Sequence, residues 1–334
     1  MYILDIIHYI LIYWNNNVRF DKIINNYIYG KVEIMLKWKT PDINDGDLIR
    51  KIVADSGIIG SDLSFANIYL FRDKYKTKIC AFDGFFIRHY SFGENGKYGF
   101  PVGNGDIEKA VLAIEQDASE RNESLSFVCL TEEQKEILEN IRPEMFQFTS
   151  DDGTSDYIYS SHELANLSGR AFHKKKNHFH RFTRLCPDAV FKRITDDNIE
   201  DAWAVEEIWY KEHTQNGETD YDVERAAIRE ALDNFSGLKL WGGIIYVDNK
   251  PCAMAVASLF NDEASDIHYE KVTNQCADNG GYAAINKFIA EGLEKDGVLW
   301  LNREEDMGIE GLRKAKLSYR PKMMFKRYEA IVKG

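Results

Sequence analysis

Apolar positions in the second half of the chain switch repeatedly between strand and helix periods. Residues 190–194 predict a short strand. Asp196, Asp197 and Asn198 then supply cap residues ahead of Trp203, Val205, Ile208 and Trp209, which fall at helical spacing. A second helix is predicted over residues 220–232, closed by Asn234 and Gly237. Strands are predicted at 238–247, 252–260 and 266–272, the first two joined by the tight turn Asp248-Asn249-Lys250-Pro251. A polar loop over 273–281 leads to a helix through Ala284, Ile285, Phe288 and Ile289. A strand at 298–302, a helix at 309–318 and a final strand at 322–332 complete the order βααβββαβαβ.

The earlier half predicts a similar order more loosely. A strand at 35–41 and a helix at 42–56 open it, followed by strands within 76–89, a helix at 106–118 and a strand at 124–130. A helix capped by Thr131 runs to about residue 141, with short strands at 145–148 and 156–159. The halves share element order and no residue-level repeat. One long helical stretch, 161–185, lies between them. The expected organisation is an N-terminal domain at 35–160, a basic helical bridge at 161–188 and a C-terminal domain at 189–334. The fold class is α+β, each domain a mostly antiparallel sheet flanked by helices. Ile, Asn and Tyr fill 19 of the first 34 positions. That segment reads as an upstream extension or a poorly ordered tail, with Met35 the expected start.

Composition fits this reading. A chain of 334 residues, 44% hydrophobic and 29% charged, has room for about two domains of ~150 residues. The formal charge of −12 sets a like-signed field against duplex DNA, which is not an expected partner. No apolar run approaches the ~18–20 residues that cross a bilayer, so no transmembrane segment is expected. The five cysteines are scattered and never spaced C-x-x-C, which predicts a reducing, cytoplasmic setting and no metal site.

Against that acidic background, residues 169–184 read GRAFHKKKNHFHRFTR, with six Arg or Lys, three His and no acid. Leu164, Leu167, Ala171, Phe172, Phe179, Phe182 and Leu185 fall near helical spacing, leaving a cationic face. Lys174, Lys175, Lys176 and Asn177 are therefore candidates for binding phosphate, on nucleotide or RNA; a solvated bridging helix is the plain alternative. Asn279, Gly280 and Gly281 open a helix, where free N–H groups and the helix dipole suit a phosphate, although a simple turn uses glycine too. On the preceding strand His268 and Glu270, two apart, are expected on one face. Glu270 is a candidate general base, or the partner of a basic residue. At a strand's carboxyl end, Asn302 and Arg303 are candidates for phosphate or carboxylate binding. Glu304, Glu305 and Asp306 are candidates for an ammonium group, and Tyr319 for protonating a leaving group.

The strings DYIYSSHELANLSGRAFHKKKNHFHRF, IHYEKVTNQCADNGGYAAINKFIAEG and LNREEDMGIEGLRKAKLSYRP resemble the bacterial family named for the C-terminal catalytic domain of phosphatidylglycerol lysyltransferase. The resemblance covers roughly residues 35–333. It implies two tandem GNAT-like acyltransferase domains, as in Fem-type aminoacyl transferases, and a donor such as aminoacyl-tRNA. The named enzymes move lysine from lysyl-tRNA to a lipid headgroup and carry a large membrane domain. No such part is read here, so lipid aminoacylation at the membrane ranks last. Acyl-CoA-dependent relatives bind pyrophosphate through R/Q-x-x-G-x-G/A. Here Gln275 to Gly281 read QCADNGG, with Asp278 at the first required glycine. An acid there repels pyrophosphate.

The expected activity is therefore acyl or aminoacyl transfer to an amine or hydroxyl of a small molecule, peptide or lipid headgroup. Glu270, or His268 through a water, would take the proton, Tyr319 would assist the leaving group, and the basic stretch with Arg303 would hold donor phosphates. The alternatives are an acyl-CoA-dependent N-acyltransferase and a non-catalytic GNAT-like module that binds nucleotide or RNA. No cofactor is required by the aminoacyl-tRNA reading.

Overall fold

A computed structural model describes residues 35–91, 95–214 and 219–333. The N-terminal extension discussed above lies outside the described residues. The strands are β1 (Lys78–Phe82), β2 (Phe85–Tyr90), β3 (Lys97–Gly103), β4 (Ser126–Leu130), β5 (Phe146–Thr149), β6 (Asp156–Ser160), β7 (Val190–Arg193), β8 (Leu240–Val247), β9 (Lys250–Leu259), β10 (Ala264–Val272), β11 (Trp300–Asn302), β12 (Met323–Phe325) and β13 (Tyr328–Val332). The helices are α1 (Gly46–Ser56), α2 (Phe65–Leu70), α3 (Ile107–Arg121), α4 (Glu132–Ile141), α5 (Ser161–Asn166), α6 (His173–Leu185), α7 (Ile199–His213), α8 (Thr219–Asp233), α9 (Asn274–Asp278), α10 (Gly281–Lys295) and α11 (Glu310–Leu317).

Two mixed sheets carry the fold. The first runs β1-β2-β3-β4-β13-β5 and the second β12-β6-β11-β10-β9-β8-β7. Each has one parallel pair among the strands, β3 with β4 and β10 with β11, and all other pairings are antiparallel. A parallel pair needs a crossover, and a helix supplies it in both sheets: α3 in the first and α10 in the second. The similarity of element order between the halves is therefore a similarity of topology.

The sheets do not divide where the sequence halves divide. β6, from the first half, pairs with β11 and β12 in the second sheet. β13, from the end of the chain, lies between β4 and β5 in the first. The single strand expected at 322–332 is thus two, serving different sheets, and the chain crosses between them at Lys326 and Arg327. One apolar core spans both sheets: Ile49, Val53, Phe86 and Val102 pack in the same cluster as Val205, Ile228, Met254 and Val256. A second core lies under α5, α6 and α10, with Leu164, Phe182, Ile285 and Leu301 at its centre. Residues 37–334 form one unit.

Local chemistry explains several boundaries. Thr131 and Gln134 form a reciprocal capping box that starts α4. The β8–β9 turn is the two-residue Asp248-Asn249, with φ of 50° and 60°, the left-handed geometry that hairpin twist favours and Asn and Asp tolerate. The long helix expected at 161–185 is broken: Leu167 (φ 47°) and Gly169 (φ 83°) end α5, and α6 begins afresh at His173. The loop expected at 273–281 contains α9.

Candidate functional site

The amphipathic spacing of α6 decides which lysine of its basic run turns inward. Lys175, Phe179 and Phe182 stand at i, i+4 and i+7, one stripe of the helix. Phe182 is fully buried and Lys175 is half-buried, whereas Lys174, Lys176 and Asn177 are exposed. The Lys175 ammonium sits 3.7 Å from the centre of the Tyr319 ring. The Arg303 guanidinium lies 4.9 Å from the same ring and 5.5 Å from that of Tyr159. Both cations are held by aromatic faces. Glu270 pairs with Arg303 Nη2 and accepts a hydrogen bond of 3.1 Å from Asn286 Nδ2 on α10.

Two cations and one carboxylate therefore share a mostly buried space. Burial, then the charge of Arg303, lowers the Lys175 ammonium to about 8, with Glu270 partly offsetting the shift. Burial also raises the Tyr319 phenol well above its ordinary value, against the pull of Arg303, so it stays neutral. Arg303 Nη1 is buried and makes no hydrogen bond within the chain, a donor free for a ligand.

A half-open groove of about 890 Å³ runs outward from Lys175. Arg170, His173, Lys174 and His178 form one wall, Lys314, Ser318 and Arg320 the other, and no carboxylate lines it. In a chain of charge −12 this is a strongly polarised surface, and Lys175 is the member of the cluster that lines it. Lys314 and Arg320 were not singled out as groove residues by the sequence; only folding brings α11 opposite α6.

His268 does not join this cluster. The β10–β9 register shifts between Ile267 and Tyr269, so His268 occupies a bulge and the alternation of faces is broken. Its Nε2 lies 2.9 Å from Ser258 Oγ, and its Nδ1 3.3 Å from Glu304. Glu270 points to the α10 side instead, so the expectation that the two share a face is overturned by the bulge.

The sequence matches the family described as phosphatidylglycerol lysyltransferase, C-terminal, over residues 54–331. The chain belongs to this family. No curated relative matches the sequence. Among solved structures, a conserved protein of unknown function from Bacteroides thetaiotaomicron is 35% identical, with 90% of this chain and 100% of that one covered and a TM-score of 0.85. L-PGS from Bacillus licheniformis is 13% identical, covering 89% and 93% of the two chains with a TM-score of 0.64. FemX is 9% identical, covering 89% and 98% with a TM-score of 0.60. The last two share the fold, two mixed sheets flanked by helices as in FemX.

In this family member the glycine pair serves packing. A Cβ at Gly280 (φ 101°) would collide with the His178 carbonyl oxygen of α6, and one at Gly281 with Cys276. Asn279 Nδ2 lies 3.7 Å from Cys186 Sγ. The crossing of α6 thus brings a carbonyl oxygen against the start of α10, poor surroundings for a phosphate. Gly280→Ala is expected to cost about 1–3 kcal/mol, read as a lower urea midpoint. An unchanged midpoint would show that α6 does not pack there.

The acidic trio also divides. Glu305 accepts from Arg327 at 2.9 Å, and Asp306 from Tyr157 at 2.6 Å and Arg313 at 2.8 Å. Both are committed within the chain, and the Arg313 bonds, outweighing burial, hold Asp306 down at about 2. Asn302 is buried and donates to Ile59 O and Asp156, both at 2.8 Å. Asn302 therefore anchors the loop that presents Arg303. Glu304 alone faces inward, toward His268.

Proposed function

We propose that the chain transfers an aminoacyl group from aminoacyl-tRNA to an amine or hydroxyl acceptor. The observation that carries this is the acid-free cationic groove ending on Lys175. Phosphates of the tRNA acceptor end lie along Arg170, Lys174, Lys314 and Arg320, and the aminoacyl ester reaches the Tyr319 ring. Neutral Lys175 takes the proton of the attacking acceptor, the Arg303 Nη1 donor meets the oxyanion, and the ribose oxygen leaves with the proton that Lys175 returns. Glu270, engaged by Arg303 and Asn286, is a positioning residue in this scheme, which replaces its expected role as base. The family's description, a lysyltransferase acting on phosphatidylglycerol, supports the reaction class. Among the described residues no helix is long and apolar enough to cross a membrane. The His178 carbonyl beside Gly280, with Asp278 nearby in sequence, weighs against acyl-CoA.

The test is fluorescence anisotropy with bulk bacterial tRNA at several salt concentrations. The double variant Lys174→Glu/Lys314→Glu is expected to weaken binding at least about 10-fold and to flatten the salt dependence by roughly one charge per substitution. Equal binding by wild type and variant, or coenzyme A binding tighter than about 100 μM, overturns the proposal.

A further inference from the structure

The face of the second sheet opposite Lys175 holds a cluster that the transfer reaction does not use. Asp266, His268 and Glu304 each place one ligand atom within 4.8 Å of the others, and among the described residues this is the group of such side chains that can hold a metal ion. The Asp266 side chain is 0% exposed, that of His268 1% and that of Glu304 27%. His268 Nδ1 lies 3.3 Å from Glu304 Oε1 and 3.5 Å from Asp266 Oδ2. Asn67 Nδ2 donates to the same two oxygens, at 2.9 and 3.3 Å.

Two further observations fit a cation at this position. Asp266 Oδ1, the second oxygen of the carboxylate whose Oδ2 faces His268, is buried without a hydrogen-bond partner. Buried polar atoms are normally satisfied. The His268 ring is also oriented from behind, its Nε2 2.9 Å from Ser258 Oγ. If Nε2 carries the hydrogen, Nδ1 presents a lone pair to two carboxylates, an arrangement a cation resolves; outer-shell bonds of this kind typically orient metal-binding imidazoles.

Spacing separates a metal from an ammonium group. Ligands about 2.1 Å from a tetrahedral ion stand about 3.4 Å apart, whereas acceptors about 2.8 Å from an ammonium nitrogen stand about 4.6 Å apart. The two edges from His268 Nδ1, 3.3 and 3.5 Å, stand near the ion's spacing, and the third lies within 4.8 Å. We propose that Asp266, His268 and Glu304 bind a divalent transition-metal ion that ties β10 to the loop following β11. One imidazole with two carboxylates suits Zn²⁺, with Co²⁺ as its spectroscopic substitute. The ion is structural: Glu304 is one residue from Arg303, so the clamp fixes the loop from the far face of the sheet. It does not depend on which group is transferred, and it departs from the expectation of no metal drawn from the cysteines, because none of its ligands is a thiol.

The experiment uses the full chain, dialysed against chelator and titrated with Zn²⁺ and with Co²⁺. Expected are one equivalent bound, a rise in melting temperature, and visible Co²⁺ absorption typical of nitrogen and oxygen ligands. His268→Gln and Glu304→Gln, each checked by circular dichroism, are expected to lower affinity at least about 100-fold. Glu304→Gln, the more exposed position, keeps the test open if His268→Gln does not fold. The proposal is overturned if wild type binds neither ion tighter than about 100 μM, if both folded variants bind as wild type does, or if L-lysine binds where Zn²⁺ does not.

Discussion

Lys175→Met is expected to slow aminoacyl transfer about 10³-fold, the middle of the range for losing a positioned proton acceptor. The measurement is the single-turnover loss of radiolabelled aminoacyl groups from bulk charged tRNA, mixed with an extract of small molecules, peptides and lipids. Lys175 acts only when neutral. Its ammonium sits at about 8 because burial and Arg303 penalise the charged form, so the neutral fraction, and the rate with it, rises as pH passes through about 8 and then levels. Lys175→Arg separates this role from phosphate binding. It preserves the charge and the stacking on Tyr319, and so keeps tRNA affinity, but does not titrate in this range. The alkaline rise is expected to vanish in that variant. A Lys175→Met enzyme with wild-type rate and pH profile would remove Lys175 from the chemistry and return attention to Glu270.

Much of the fold could be read from periodicity because most elements are amphipathic and locally capped. The unread parts are where tertiary contacts override local pattern. β3 carries Gly99 and Pro101, which argue against a strand, yet its register against β2 shifts between Phe86 and Arg88, and an irregular pairing of that kind accommodates a proline that cannot donate. The bulge at His268 leaves no mark in IHYEKV, whose alternation looks regular, so two side chains expected together were assigned to one face. In the site, Arg303 and Tyr319 were recognisable as polar residues at a strand end and after a helix. Lys175 was hidden inside a run of three lysines, although its spacing to Phe179 and Phe182 distinguishes it. The proposed metal-binding trio could not be read, since Glu304 meets Asp266 and His268 only through the pairing of β10 with β11.

The split of the final strand has its own energetic signature. MMFKRYEAIV reads as one strand, but the chain leaves the second sheet after Phe325 and enters the first at Tyr328. Arg327 holds the crossing. Its Nη2 donates to Asp156 at 2.5 Å and to Glu305 at 2.9 Å, and its Nε to Thr154 O at 2.7 Å. Asp156 in turn accepts from Ser61 N and from Asn302, both at 2.8 Å, joining β6, β11 and the segment before α2. Arg327→Met leaves the Asp156 carboxylate buried and unpaired, and is expected to destabilise the protein by about 3–5 kcal/mol at pH 8, measured by urea unfolding. Burial, countered by Arg327 and reinforced by Glu305, already raises Asp156 to about 7. A carboxyl whose folded pKa is raised contributes stability that is complete below its unfolded value and is lost as pH climbs through the folded one. Without Arg327 that folded value rises further. The deficit of Arg327→Met relative to wild type is therefore expected to shrink between pH 8 and pH 5, as Asp156 takes up a proton and no longer needs the cation. A deficit below about 1 kcal/mol at pH 8, or one that grows on acidification, would mean that the crossing is held by β12 and β13 alone.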